Sequence, residues 1–388
     1  MATEDFSTKN AERVLRQFLD LKSGERVLLV TDKTGKNTDT VLVKNLKKAA
    51  AAIGASCKEL VVTSATKKTE LCAALDDADV LWMTWDGQEN PEMEFYAVVA
   101  ESKARKIRFA SSPGVTADVF REGGAMTESP DELRKRLRRM HDRLKGLKGL
   151  RIVTDYGTDL KVKLSDKRRW DLDTGVIKPG EWSNLPAGEI YFAPEETEGS
   201  GTLVLPILHD EITMNQGVDA PVFLTILGGK IVAITGGASA EQLREYLGTY
   251  SKSEHDPLSP YQFAEVAFGA NAHARPAVAD PSADYTHPRI CLTESEKAFG
   301  MHFAFGCNQF DIPGVDGGVE SKVHLDFVIP LKGLTVTGYK NFNDLRWNRN
   351  GETLVENGSR SFFYLCKTLF RSVGFCGNYS RLVPFDPH

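Results

Sequence analysis

The first 150 residues alternate between helix-like and strand-like patterns of apolar side chains. Residues 10–21 carry apolar side chains at intervals of three and four, whereas 26–31 form a short apolar run typical of a buried strand. The pattern predicts helices over 10–21, 38–53, 66–76 and 94–104, and strands over 26–31, 58–63, 79–84 and 107–110. Strands separated by helices of this length form right-handed βαβ units. Residues 1–149 are therefore predicted to be an α/β domain, an open parallel sheet with Rossmann-like layering.

This predicted sheet lacks the glycine pattern of a nucleotide site. A single glycine, Gly35, follows the first strand, so the GxGxxG fingerprint is missing, and no GxxxxGK[ST] segment occurs in the chain. The sequence therefore favours a structural role for the N-terminal domain over nucleotide binding.

A basic amphipathic helix is predicted over residues 131–148. Its apolar residues, Leu133, Leu137, Met140, Leu144 and Leu147, form one stripe, and eight basic residues cover the other faces. A solvated helix face explains those charges more simply than an anionic partner does, and we expect the helix to connect two domains.

The second half of the chain changes to strand-rich patterning. Alternating runs occur at 202–207, 222–227 and 230–235, and Gly-Gly pairs mark turns between strands. Helices are predicted at 239–250 and, inside a C-terminal extension that begins at 340, at 360–372. We therefore predict an α+β metal-binding domain over residues 150–388.

Composition and charge exclude several classes of function. The 388-residue chain is 41% hydrophobic and carries 48 basic against 53 acidic residues, a net charge of −5, so neither a nucleic-acid partner nor an anionic membrane is indicated. The acidic N-terminus lacks the apolar region of a secretory signal, and no apolar run approaches the length of a membrane span. The expectation is a cytoplasmic protein with reduced thiols.

Five side chains of metal-binding type lie in apolar or strand-like settings: Glu189, Glu265, His302, His324 and Asp326. His324 and Asp326 are two residues apart in a predicted strand, so both point to one face. Glu265 stands in an apolar stretch, where an unpaired carboxylate would be costly to bury. Three carboxylates and two histidines would suit a pair of divalent ions that share a bridging group.

Simpler interpretations of these residues remain open. His324 and Asp326 suit a hydrogen-bonded pair on the polar face of a half-buried strand, and His302 suits a satisfied core histidine. His273 and Arg275 either line the same pocket, with Arg275 on a substrate carboxylate, or lie in a surface loop. Periodicity alone does not show that the five side chains converge.

Six segments carry a more specific pattern. In chain order they are Tyr156-Gly-Thr-Asp-Leu160, Trp182-Ser-Asn-Leu-Pro-Ala-Gly-Glu189, Glu198-Gly-Ser-Gly201, Glu265-Val-Ala-Phe-Gly-Ala-Asn271, Glu296-Lys-Ala-Phe-Gly-Met-His302 and His324-Leu-Asp326. Together, over roughly residues 150–330, they resemble the aminopeptidase T and S family of dinuclear metallopeptidases.

This resemblance implies a function and a ligand set. Glu189, Glu265, His302, His324 and Asp326 would hold two divalent ions (zinc, cobalt or manganese) that activate a water between them. The expected activity is hydrolysis of the N-terminal bond of a peptide, or of a related amide, by a homodimer that encloses its active sites. Two cations lower the pKa of a bridging water and stabilise the oxyanion, and Glu265 is expected to accept the water's proton.

One departure from the aminopeptidase pattern raises alternatives. Seven residues after His302 the family has a tyrosine that assists the tetrahedral intermediate, whereas this chain has Gln309. An amide donates a hydrogen bond but supplies no proton. Gln309 is therefore predicted as a catalytic residue in the tyrosine's place, and a repurposed member of the fold without peptidase activity is a further hypothesis.

A second resemblance is to the related 2,5-dihydroxypyridine 5,6-dioxygenase type, in Gly199–Leu205, in the segment from Gly236 to Tyr246 and in His324-Leu-Asp326. It implies a single Fe(II) held by two histidines and one aspartate, and cleavage of an aromatic ring with O2. Its first histidine falls where this chain has Glu265. On that ligand set, the sequence favours the metallohydrolase over the dioxygenase.

Overall fold

The computed structural model describes residues 2–33, 38–84, 95–206, 220–276, 291–309 and 312–364. The α-helices in these ranges are α1 (Ala2–Gln17), α2 (Thr40–Ile53), α3 (Lys68–Leu75), α4 (Phe95–Ala104), α5 (Pro130–Leu144), α6 (Ala238–Ser251), α7 (Leu292–Ser295) and α8 (Phe342–Trp347). The strands are β1 (Arg26–Asp32), β2 (Ser56–Val62), β3 (Val80–Met83), β4 (Arg108–Ser111), β5 (Gly149–Thr154), β6 (Asp159–Lys163), β7 (Asp171–Asp173), β8 (Trp182–Asn184), β9 (Glu189–Phe192), β10 (Gly199–Leu205), β11 (Val222–Leu227), β12 (Lys230–Thr235), β13 (Phe263–Gly269), β14 (Gly300–Gly306), β15 (His324–Pro330), β16 (Leu334–Tyr339) and β17 (Glu352–Val355). Short 3-10 helices lie at Ala117–Phe120, Ala125–Thr127, Ser259–Tyr261 and Arg360–Phe362.

The N-terminal sheet is parallel and has the strand order β2-β1-β3-β4-β8. This confirms the predicted α/β layering. Helix α2 shows why the local sequence folds this way: the Asp39 side chain accepts hydrogen bonds from two backbone N–H groups at its start, and Gly54 ends it in the left-handed region at φ 86°. The fifth strand, β8, comes from beyond residue 150, so the chain returns to the first sheet after the predicted domain boundary at 149/150, which stays a prediction.

Two antiparallel sheets make up the rest of the described fold. One has seven strands in the order β12-β11-β10-β6-β5-β16-β17, and the other has five in the order β15-β14-β13-β9-β7. A single apolar cluster joins side chains of both sheets with those of helices α5 and α6. The predicted helix at 239–250 is confirmed as α6. Of the predicted helix at 360–372, the described part holds the 3-10 turn at 360–362, and residues 365–372 lie outside the described ranges.

Helix α5 packs on both halves of the protein. Leu133 belongs to the apolar cluster of the N-terminal sheet, whereas Leu137, Met140 and Leu144 belong to the cluster of the antiparallel sheets. One basic residue departs from the predicted solvated face: Arg136 is buried and pairs with Glu128 at 2.6 Å. The reason is tertiary, because a buried guanidinium needs a charge partner that only the folded chain supplies.

None of the helices in the part of the chain that the structure describes has the length and apolar composition needed to span a membrane. In the same ranges Cys57, Cys72, Cys291 and Cys307 are not joined in disulfides.

Candidate metal centre

The five-stranded antiparallel sheet has one apolar face and one polar face. Side chains alternate along each strand, and directly paired residues of neighbouring strands lie on the same face. The apolar face is buried in the core cluster and comprises Ile190, Phe192, Val266, Phe268, Met301, Phe303, Phe305, Leu325, Phe327 and Ile329. The opposite face carries all five predicted metal ligands: Glu189, Glu265, His302, His324 and Asp326. Four strands, β9, β13, β14 and β15, thus position them.

His302 lies between two carboxylates at the centre of this polar face. Its Nε2 atom is 3.1 Å from Glu189 Oε2 and 3.2 Å from Glu265 Oε1. Donor atoms of the three residues lie within 4.8 Å of one another, and all three residues are buried. The spacing and the donor types suit a divalent metal ion.

His324 and Asp326 extend the cluster along β15. His324 Nε2 lies 3.8 Å from Glu265 Oε2 and 3.6 Å from Asp326 Oδ2. Its Nδ1 lies 2.7 Å from the Cys307 carbonyl oxygen and, as the N–H donor to it, leaves Nε2 facing the carboxylates. A metal-binding histidine is commonly held by such a hydrogen bond from its other ring nitrogen.

Burial and neighbouring charges shift the pKa values of these side chains in opposite directions. Burial by itself would raise the pKa of Glu189, but the Lys297 ammonium and His302 outweigh it and set the pKa at about 2. Burial by itself would lower the pKa of His302, and Glu189 and Glu265 instead raise it well above its usual value. For His324, burial likewise lowers the pKa, but the carboxylates of Asp326 and Glu265 outweigh it, so the pKa is raised.

An unsatisfied buried atom tests whether a metal ion fits. Glu189 Oε2 is buried, and in the described ranges it accepts no hydrogen bond although His302 Nε2 lies close by. A buried carboxylate oxygen without a donor is costly, and a cation in front of it removes that cost. The donor set and this oxygen therefore fit a metal ion, and the described structure supports a metal centre at Glu189, Glu265 and His302.

Small residues keep the polar face open between the ligands. Ala267 pairs with His302 across β13 and β14, and Ala304 pairs with both Glu265 and Asp326. Both alanines are fully buried. A larger side chain at either position would project among the candidate ligands.

Several residues of the site were missed in the sequence analysis. Lys297 Nζ lies 2.7 Å from Glu189 Oε1, and the buried Glu296 and the half-buried Asp173 carry further carboxyl groups near it. Burial, together with Asp326, raises the pKa of Glu296 to about 7. The signal for Lys297 was present in the segment that ends at His302, where a lysine precedes Ala-Phe-Gly-Met in an otherwise buried stretch. No pattern in the chain pointed to Asp173.

Other predicted site residues lie apart from the cluster. Gln309 is exposed, and its backbone carbonyl accepts a 3.7 Å hydrogen bond from the Cys307 thiol. Its catalytic role stays a prediction. Arg275 makes an ion pair of 2.6 Å with the buried Glu294, and His273 Nδ1 lies 2.8 Å from the Thr127 hydroxyl. The side chains of Arg275 and His273, for which contact with a substrate was one hypothesis, are thus both engaged in contacts within the protein.

Comparison with known proteins links this centre to two enzyme types. The sequence model of one family, NicX: 2,5-dihydroxypyridine 5,6-dioxygenase, matches residues 125–337, a range that includes all five candidate ligands. The 2,5-dihydroxypyridine 5,6-dioxygenase of Pseudomonas putida KT2440 is 24% identical over 270 residues, 68% of each chain.

Two solved structures share the fold. The structure of 2,5-dihydroxypyridine dioxygenase from Pseudomonas putida KT2440 superposes with a TM-score of 0.63 at 18% identity, covering 92% of this chain and 97% of its own. Wild-type AmpT from Thermus thermophilus superposes with a TM-score of 0.60 at 16% identity, covering 91% and 98%. At these identities the likeness concerns the fold alone.

Proposed function

This chain belongs to the NicX family of 2,5-dihydroxypyridine 5,6-dioxygenases, and from that membership we propose that it is a single-metal dioxygenase. Its proposed substrate is a small hydroxylated aromatic ring of the dihydroxypyridine type, and its proposed metal is Fe(II). The sequence alone favoured the metallohydrolase. The family match changes that order of preference.

The observation that carries the proposal is the position of Glu265 between two imidazoles. One carboxylate oxygen faces His302 Nε2 at 3.2 Å, and the other faces His324 Nε2 at 3.8 Å. Two histidines and one carboxylate are the ligand set of non-haem Fe(II) oxygenases. Glu265 stands where the resemblance to the dioxygenase type places a histidine, and His302 supplies an imidazole in its stead.

The chain's own residues have defined tasks in this proposal. A ferrous ion, when bound, supplies the activation of O2. The Cys307 carbonyl orients His324, and Lys297 holds one oxygen of Glu189. Burial of His302 and Glu265 keeps water away from the reacting atoms, and Ala267 and Ala304 leave room above the ligands. Tyr191, whose hydroxyl donates to Asp171 at 3.0 Å, keeps its proton because burial raises its pKa.

A dinuclear aminopeptidase-like hydrolase is the second candidate function. It is favoured because the two oxygens of Glu265 face different histidines, an arrangement that also suits a carboxylate bridging two ions. In that case Glu189, Glu265 and His302 would serve one ion, and Asp326 and His324 would serve the other. A peptide or amide substrate, zinc, cobalt or manganese as the metal, and the expected homodimer belong to this candidate.

Metal content and O2 uptake of the purified protein test the proposal. The chain is purified without chelator and without air, its metals are counted by elemental mass spectrometry, and O2 consumption is followed with 2,5-dihydroxypyridine. The proposal expects one iron per chain and substrate-dependent O2 uptake. Glu265→Gln should abolish that uptake, whereas the matched exchange at the partly exposed Glu198 should not. Two zinc, cobalt or manganese ions with cleavage of an aminoacyl anilide and no O2 uptake would overturn it.

A further inference from the structure

Lys297 is a buried cation set directly against the candidate metal centre. Its side chain is 2% exposed, and its ammonium lies 2.7 Å from Glu189 Oε1 and 3.3 Å from Glu296 Oε2. Asp173 is a further carboxyl group that interacts electrostatically with this ammonium. A buried ammonium is tolerated only where carboxylates compensate its charge, and here one of these carboxylates is a candidate metal ligand.

The backbone fixes the position of Lys297. Its N–H donates to the Glu294 carbonyl at 3.1 Å, and its carbonyl accepts a hydrogen bond of 2.7 Å from the Asn271 N–H. Gly269 of β13 makes the close approach possible, since a Cβ there would lie 1.9 Å from the Ala298 carbonyl oxygen. The backbone of Lys297 is therefore held close to strand β13 by these contacts.

The ammonium limits what Glu189 can offer to a metal ion. Oε1 is engaged by Lys297, so Oε2 alone faces His302 Nε2 and remains available. A second ion, between Glu189 and His302, would meet the remaining oxygen of a carboxylate whose negative charge the lysine already balances. It would also be repelled by the ammonium across a buried region, where screening by water is weak.

We infer that Lys297 is a resident cation that takes the place of a second metal ion, so that this five-ligand cluster holds a single divalent ion. It is a positioning residue, because it acts through Glu189. The ion is then held by Glu265 with His302 and His324, and Glu189, whose charge Lys297 balances, does not hold a second ion. This inference rests on the proposed single-metal function and adds the residue that enforces it.

The number of bound ions in Lys297 variants tests the inference. Wild type, Lys297→Met and Lys297→Arg are stripped of metal, loaded with excess Co²⁺, desalted and counted by elemental mass spectrometry. Wild type and Lys297→Arg should hold one ion, and Lys297→Met should hold two, because the charge of Glu189 is uncompensated. Adding Glu189→Gln to Lys297→Met should return the count to one. A count of one in folded Lys297→Met, or of two in Lys297→Arg, overturns the inference.

The wild-type protein supplies an independent test should Lys297→Met fail to fold. Titration with Co²⁺ to large excess, followed by its absorption bands, should saturate at one ion, and saturation at two overturns the inference. The proposed function fails separately. One bound ion without O2 uptake would refute the dioxygenase and leave the role of Lys297 intact. O2 uptake by a protein with two bound ions would refute the role of Lys297 and leave the dioxygenase intact.

Discussion

Removal of the Lys297 charge should destabilise the metal-free protein strongly. Lys297→Met keeps the length and apolar stem of the side chain but leaves Glu189 buried without the ammonium that lies 2.7 Å away. Breaking a buried ion pair from one side costs about 3–5 kcal/mol, since the remaining charge is uncompensated. Glu296 adds little to this cost, because its pKa of about 7 lets it take up a proton near neutral pH.

The measurement is thermal unfolding in the presence of chelator. We expect the midpoint of Lys297→Met to fall by on the order of 10 °C, while the exposed Lys332→Met stays within about 0.5 kcal/mol of wild type. A divalent ion at about 100 times its Kd should restore about 2.7 kcal/mol to the variant. Adding Glu189→Gln should also recover part of the loss, because it removes the charge left behind.

The pH dependence of this loss has a definite sign. The pKa of Glu189 is depressed in the folded wild type. The ionised Glu189 therefore stabilises the fold at any pH above the pKa that this side chain has in the unfolded chain, and this stabilisation is lost only as the pH falls through about 2. Without the lysine that depression is weakened, because His302 alone then opposes the effect of burial, and Glu189 takes up a proton at higher pH. The gap between variant and wild type should therefore shrink from about pH 7 to about pH 4. A free energy of unfolding within about 1 kcal/mol of wild type at neutral pH, without metal, would refute the reasoning.

Three further predictions concern the centre and its support. Glu265→Gln should lower metal affinity by at least about 100-fold, measured by competition with a chromogenic chelator. The same exchange at the partly exposed Glu198 should leave the affinity unchanged. Equal affinities of Glu265→Gln and wild type would show that Glu265 is not a ligand. Because neighbouring carboxylates raise the pKa values of His302 and His324 in the metal-free protein, an ion must compete with protons for both rings, so affinity should rise with pH by about tenfold per unit for each proton released. Calorimetry in buffers of different ionisation enthalpy counts those protons, and a pH-independent affinity would contradict this. Phe303→Ala, on the apolar face of the same strand as His302, should cost about 3–5 kcal/mol of stability in chemical denaturation; a loss below about 1 kcal/mol would show that this face is not a packed core.

The sequence predicted the parallel N-terminal sheet well because buried strands and amphipathic helices leave a local signature. It also indicated which residues could ligate metal, since His324 and Asp326 share a face by strand alternation and Glu265 interrupts an apolar stretch. It did not foresee that β8 would join the first sheet, because strand pairing across such a distance depends on the whole fold. Arg136 was expected in solvent because helix periodicity does not show which charged residue the fold will bury, and its pairing with Glu128 became visible only in three dimensions.

What the sequence determined by itself is the alternation that gives one sheet a polar face, and with it the presence of three carboxylates and two imidazoles on neighbouring strands. The resemblance of short motifs identified two related enzyme types without deciding between them. Only the tertiary structure placed Glu265 between His302 and His324 and set Lys297 against Glu189. Charges act over distances of a few ångströms in space, whatever their separation along the chain. The electrostatics of this centre are therefore decided by strand register and by the close approach of the Lys297 segment to the sheet, which no local pattern encodes.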